Sequence, residues 1–297
     1  MNQFFSNLLK GIGIGTANVI PGVSGGTIAL LTGIFERLID SLKSFNLTAI
    51  KLLFSGKFKE FAKYTDLIFL CSVGCGVLIA ILSVARIFDY LFEHHPIYLW
   101  SFFFGLILTS IYYVGITIEK WDWKVVLSFI IGTAIALFIA FGKPAKENDN
   151  LIYLLICGVV ATCSMILPGL SGSFVLVLMG NYQLIMIDAV NDLNLKILIP
   201  VIIGGVVGLI AFSHVLSWIF KKYRNITIAL LTGFILGSMP IIWPWKNAVI
   251  TIVGNEEITT GYDYFLPEMN IQFAIALVII LIGASIIVLT EKIAKKQ

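Results

Sequence analysis

Apolar residues run through this chain in long blocks separated by short polar segments, and that spacing sets the first expectation. Six blocks, at about 66–88, 97–118, 124–142, 197–220, 226–243 and 272–290, are long enough to cross a hydrocarbon core ~30 Å thick, which takes roughly 20 helical residues. Two further apolar regions are interrupted. In the first, 12–20 is short, and 23–35 runs straight into Glu36, Arg37 and Asp40. At ~1.5 Å per residue neither piece spans, so 4–42 is expected to form a re-entrant helical hairpin. The second, 151–187, has longer arms and reads either as a re-entrant hairpin or as two short spanning helices.

The interruptions repeat. Pro21-Gly22-Val23-Ser24-Gly25-Gly26 and Gly33 return as Pro168-Gly169-Leu170-Ser171-Gly172-Ser173 and Gly180, each at an offset of 147, as does Gly11 in Gly158. At an offset of 128, Gly76 matches Gly204, Arg86 matches His214 and Gly105 matches Gly233, while Gly132 aligns loosely with Gly283. The expected architecture is therefore an all-α polytopic membrane protein made of two repeats, 1–150 and 151–297. Each is a hairpin followed by three transmembrane helices. Three crossings plus a hairpin is an odd number, so the second repeat is inverted relative to the first. Paired interruptions of this kind point to the binding site of a repeat-built transporter.

Charge then suggests orientation. Lys43, Lys51, Lys57, Lys59 and Lys63 crowd the 43–65 loop, Lys221, Lys222 and Arg224 another, and Lys292, Lys295 and Lys296 the tail. Threading from a cytoplasmic N-terminus puts all three clusters, and both termini, inside. In the 43–65 loop Phe54, Phe58 and Phe61 recur at helical spacing, which fits a helix on the inner membrane surface as well as a plain positive-inside loop. Trp243, Trp245, Tyr262 and Tyr264 read as an outer aromatic belt. The chain is 59% hydrophobic and 12% charged, with net charge +3 spread over loops, which excludes a soluble fold and gives no reason to expect nucleic acid. The N-terminus lacks a cleavable-signal pattern. Cys71, Cys75, Cys157 and Cys163 match no metal spacing and read as small core fillers, and no cofactor is expected.

At the breaks, Ser24 and Ser171 stand where an N-cap belongs, each opening a new helix. The first N–H groups of a helix lack intrahelical partners and attract anions, and glycine lets a ligand approach the backbone. Ser24, Gly25, Gly26, Thr27, Ser171, Gly172 and Ser173 are thus the expected binding residues for a phosphate, around breaks made by Pro21, Gly22, Pro168 and Gly169. The alternative is that these small residues only let helices pack closely. Arg86 is either a further anion ligand or a snorkelling interface residue. His214 is a packed histidine or a coupling group, and Glu36 and Arg37 are candidates for gating the inner mouth.

The run Gly11-Ile12-Gly13-Ile14-Gly15-Thr16-Ala17-Asn18-Val19-Ile20-Pro21-Gly22-Val23-Ser24-Gly25-Gly26-Thr27, with Gly33-Ile34-Phe35-Glu36-Arg37 and Leu167-Pro168-Gly169-Leu170-Ser171-Gly172-Ser173-Phe174, resembles the paired hallmark of the PopT family of polyprenyl-phosphate transporters. The resemblance covers the full length. It implies a bacterial plasma membrane protein that returns undecaprenyl phosphate from the outer to the inner leaflet for reuse in cell-wall and surface-polymer synthesis. Its partners would be that lipid, membrane lipids and a coupling proton or cation, with a homo-oligomer open. The chain departs from the family at Asn18, where many relatives carry an acid, which puts coupling through that position in question. Two other readings stay open: a transporter or channel for a small anion, and a prenyl-phosphate phosphatase.

Overall fold

A computed structural model describes residues 3–19, 24–142, 145–253 and 256–294. The first hairpin is α1 (Gln3–Val19) and α2 (Gly25–Leu31), continued by α3 (Phe35–Lys43). Two short helices follow, α4 (Leu47–Phe54) and α5 (Phe58–Tyr64), then α6 (Leu67–His94), α7 (Pro96–Gly115) and α8 (Trp123–Ala140). The second hairpin is α9 (Leu151–Ile166) and α10 (Gly172–Leu178), which leads through a π-helical turn, Gln183–Asp188, into α11 (Ala189–Asn191). The chain closes with α12 (Leu195–Lys222), α13 (Arg224–Gly237), a 3₁₀ turn, two strands, β1 (Lys246–Val253) and β2 (Glu256–Tyr264), and α14 (Ile271–Ala294).

Among the described residues, α7, α8, α12 and α14 are long and apolar enough to cross a membrane, and α6 makes a fifth when taken with α5. The sixth expected crossing, 226–243, is shorter as a helix: α13 has 14 residues and gives way at Ser238 to a 3₁₀ turn containing Pro240. Proline lacks the N–H that the next helical turn would use. The 43–65 loop is two helices, broken at Gly56 (φ +71°), and α5 is bent by 69° from α6. Leu47, Phe54 and Phe58 stand out from them, each more than 60% exposed. The bend is set at Asp66, left-handed at φ 50°, whose carboxylate accepts two hydrogen bonds from Arg37 at 2.6 and 3.0 Å.

Four helix pairs form the body: α1 on α6, α9 on α12, α7 on α14 and α8 on α13. Each closest approach is made by a glycine from both sides. A Cβ on Gly11 would run into the Val73 carbonyl and one on Gly76 into that of Leu8; the matching pair, Gly158 and Gly204, faces Val201 and Leu155. Gly105 with Gly283, and Gly132 with Gly233, do the same at the other two crossings. These are the glycines that the sequence offsets relate. In lipid, where tails are as apolar as side chains, such flush backbone contact is what holds helices together.

The strands were not expected. β1 and β2 pair antiparallel with a bulge at Val249/Ile250, on either side of Gly254-Asn255, a two-residue spacing that signals a hairpin. The expected aromatic belt is built into this hairpin: Trp245 is buried, and Lys246 Nζ lies 3.6 Å above the Trp100 ring and 4.1 Å above the Tyr262 ring with no hydrogen-bond partner. Of the cysteines, Cys157 is buried as expected, whereas Cys71 and Cys75 are exposed on α6, because their side of the helix faces away from α1.

Replacing Gly158 by alanine is expected to destabilise the protein by about 1–3 kcal/mol, read as a lower thermal midpoint in detergent. Gly74→Ala, where a Cβ meets nothing within 4 Å, serves as the neutral control. Burial lowers the Lys246 pKa from 10.5 to about 6. Between those values the unfolded chain holds a proton that the folded one has released, so this residue makes stability rise with pH. The two ring faces favour the cation and oppose the shift without removing it. Lys246→Met is therefore expected to stabilise by about 1–3 kcal/mol near pH 6, with the gap closing towards pH 10. A gap independent of pH in thermal unfolding would contradict this.

Candidate functional site

The two hairpins match at the residues that open and close their second helices. Ser24 (φ −105°, ψ 129°) and Ser171 (φ −110°, ψ 127°) are both extended N-caps, and α2 and α10 both end before left-handed glycines, Gly33 (φ +70°) and Gly180 (φ +74°). The tips also touch. Ser24 Oγ donates to the Leu167 carbonyl at 3.0 Å while accepting from Gly26 N–H at 3.1 Å, and Thr27 Oγ1 accepts from Gly169 N–H at 3.1 Å. Gly169 turns at φ +80° and packs on the Phe234 backbone, leaving no room for a Cβ. Pro168 and Gly169 thus make the second break. Pro21 and Gly22 lie outside the described residues, with the whole of 20–23.

Beside the tips opens a cavity of about 530 Å³. Its lining is mostly apolar, with Met165, Met186, Ile202 and Val206 among it, and its polar groups come from Asn18, Ser24, Thr162, Ser171 and Ser173 and the backbone at Gly172. Of the expected binding residues, Ser24, Ser171, Gly172 and Ser173 line this cavity, whereas Gly25, Gly26 and Thr27 do not. Ser24 and Thr27 are buried and their hydroxyls already hold the other tip. Gly25 N–H is met by Asn18 Oδ1 at 2.8 Å and Gly26 N–H by Ser24, so the first tip is capped from within. The second tip has no such cap. Ser171 makes no side-chain cap bond, only a contact with Ser173 Oγ at 2.9 Å, and the counterpart of Asn18 at the 147 offset is Met165, which offers no comparable acceptor. The donors left for a ligand come from Ser171, Ser173, the first turn of α10 and the Asn18 amide.

The charged candidates lie elsewhere. Glu36 pairs with Arg224 at 3.0 Å and Arg37 with Asp66 at 2.6 Å, its guanidinium 4.2 Å above the Phe69 ring. Asp40, which sequence reasoning left unassigned, accepts from Ser217 at 2.6 Å and binds Lys221 at 3.0 Å. These bonds tie α3 to α12 and α13 at one end of the bundle, around a smaller cavity of about 300 Å³ lined by Glu36 and Arg224. His214 is half-buried on α12, its Nδ1 2.8 Å from the Ile210 carbonyl, and does not line the larger cavity. The Arg86 side chain lies outside the described residues. Sequence reasoning also missed the apolar lining, because Ile202 and Val206 look like ordinary residues of a spanning helix.

A bundle of apolar helices around two broken hairpins, with a largely apolar cavity that carries hydroxyls and an amide at their tips, is the architecture of a membrane transporter. The comparisons with known proteins make this specific: the model of the VCA0040-like, undecaprenyl phosphate translocase-like family matches residues 14–260, and the chain belongs to that family. A polyprenyl-phosphate transporter of Vibrio cholerae is 37% identical over 307 residues, covering 99% of this chain and 98% of that protein. One of Staphylococcus aureus is 33% identical over 262 residues, covering 82% and 88%. No solved structure gives a significant match. The chain is a transporter and not an enzyme.

Thr27→Val keeps the shape of the buried side chain and removes the acceptor that Gly169 N–H uses. It is expected to cost about 1–3 kcal/mol by orphaning that amide. Thr27→Ser, which restores an acceptor, is expected to recover most of the loss in a thermal-unfolding comparison.

Proposed function

We propose that this chain carries polyprenyl phosphate from the outer to the inner leaflet of the bacterial plasma membrane, holding the phosphate at the hairpin tips. The observation that carries this reading is the mixed lining of the cavity. Its hydroxyls and the Asn18 amide suit an anionic head, and the apolar side chains beside them are themselves exposed, Met165 at 56% and Ile202 at 60%. In a bilayer such residues face lipid, so a prenyl tail can stay in the membrane while its head enters sideways. A small soluble anion needs no lateral opening, and that favours the lipid over the small-anion reading.

In this proposal the halves 1–150 and 151–297 are inverted repeats whose hairpins enter from opposite faces. Supporting it are the matched N-caps Ser24 and Ser171 and the glycine crossings, in which α7 and α8 of the first half pair with α14 and α13 of the second. Rocking one half on the other would expose the tips alternately. The termini and the lysines of α4 and α5 lie on the cytoplasmic side, where basic segments are retained. With α5 bent away from α6, the exposed apolar side chains of α4 and α5 rest in the inner interface.

Leaflet-resolved movement of a fluorescent short-chain polyprenyl phosphate in proteoliposomes tests this. Protein-dependent movement is expected, with at least a tenfold loss in Ser171→Leu, which puts an apolar side chain where the second tip offers a hydroxyl. Uptake of soluble anions without lipid movement would overturn the reading.

A further inference from the structure

The two cavities stand at the two ends of one short helix. Ser24, the N-cap of α2, lines the larger; Leu30, Leu31, Thr32 and Gly33, at the other end of α2, line the smaller. Seven helical residues at ~1.5 Å each put the two roughly 10 Å apart along that axis. The smaller cavity, about 300 Å³, has room for a phosphate group, and its lining includes Glu36 of α3 and Arg224 at the start of α13.

The cations at this end are unequally committed. Arg37 gives Nε and Nη2 to the two carboxylate oxygens of Asp66 and stacks on Phe69. Lys221 is held by Asp40, and Lys222 lies over the Trp218 and Tyr223 rings at 5.2 and 5.3 Å. Among the described residues, Arg224 engages Glu36 at a single point, through Nη2 at 3.0 Å, and the two side chains are 53% and 47% exposed. A guanidinium carries five N–H donors in a fixed fork, so most of this one is unspent. An exposed one-point ion pair contributes little to stability, and Glu36 can turn to water at small cost. Phosphate offers the paired oxygens that the fork fits, through charge-assisted bonds.

Building on the reading above, we infer that the smaller cavity is a second phosphate site, in which the lipid's head takes Glu36's place on Arg224 after leaving the hairpin tips. Half of a ~30 Å hydrocarbon core is ~15 Å, so a head that travels the length of α2 covers most of the way from mid-depth to the interface. The tail stays in lipid throughout. Between turnovers Glu36 keeps the guanidinium aimed at the cavity. Glu36 belongs to the first half of the chain and Arg224 to the second, so the exchange also releases one bond between the halves. Asp40, still held by Ser217 and Lys221, keeps α3 on α12 meanwhile.

Removing either partner breaks the ion pair, but one change deletes the ligand and the other frees it. Full-length protein in detergent, carrying Ser171→Leu to weaken the tip site, is titrated with a short-chain polyprenyl phosphate and separately with inorganic phosphate. Arg224→Gln is expected to weaken lipid binding at least tenfold, and Glu36→Gln to strengthen it at least threefold. Arg224→Lys is expected to fall between native and Gln, since a point charge replaces the fork. Lys222→Gln, a charge lost at the same end but outside the cavity lining, is the control, expected to stay within twofold. Equal weakening by Arg224→Gln and Glu36→Gln overturns the inference, because the pair then merely holds α3 to α13. A loss in Lys222→Gln as large as in Arg224→Gln overturns it as a diffuse charge effect. Should Arg224→Gln fail to fold, the sign of the Glu36→Gln effect decides. Leaflet-resolved movement of the lipid by the native protein judges the lipid reading separately. If that movement is absent, Arg224-dependent binding of inorganic phosphate upholds the site as one for free phosphate, and its absence sinks both.

Discussion

Everything in this fold depends on how two broken backbones find partners without water. A helix interrupted at bilayer depth leaves N–H and C=O groups that lipid cannot satisfy, each worth several kcal/mol if orphaned. Here the breaks answer each other. The Leu167 carbonyl and the Gly169 N–H, freed by one break, are met by Ser24 and Thr27 from the other. The tips therefore belong side by side, and the cavity exists because they meet there with one face left over.

The meeting is unequal. The N-caps Ser24 and Ser171 share backbone angles, yet only the first is capped internally, through Asn18 and Ser24. The second keeps its hydroxyls and amides facing the cavity. A perfectly symmetric pair would either satisfy both tips and leave nothing to bind with, or leave both open and unstable. In the proposed reading, the difference between Asn18 and its counterpart Met165 leaves the first tip as the support and the second as the site.

Much of this was legible in the chain. The Pro-Gly-x-Ser breaks and their 147-residue offset pointed to the hairpins, while the matched glycines, read only as marks of a repeat, turned out to be the close crossings. The partners of polar side chains were not legible. Ser24 and Leu167 lie 143 residues apart, and nothing local in either marks the other. The same holds for Glu36 with Arg224 and Asp40 with Lys221, where Glu36 looked like a free candidate for gating and the two cations like ordinary loop charges. The strands around Gly254-Asn255 did carry a local signal, masked by the expectation that an aromatic-rich segment between spans would be a plain interfacial loop.

The exchange of partners at the crossings bears on how the protein is made. Because α7 and α8 pack on α14 and α13, the first half leaves the ribosome with two glycine-lined grooves and nothing to fill them. Those helices must wait in the membrane until the last spans are synthesised, some hundred residues later. Assembly is thus gated by the C-terminal end of the chain, and a truncated product retains exposed backbone grooves of the kind that quality-control proteases and stray helices recognise.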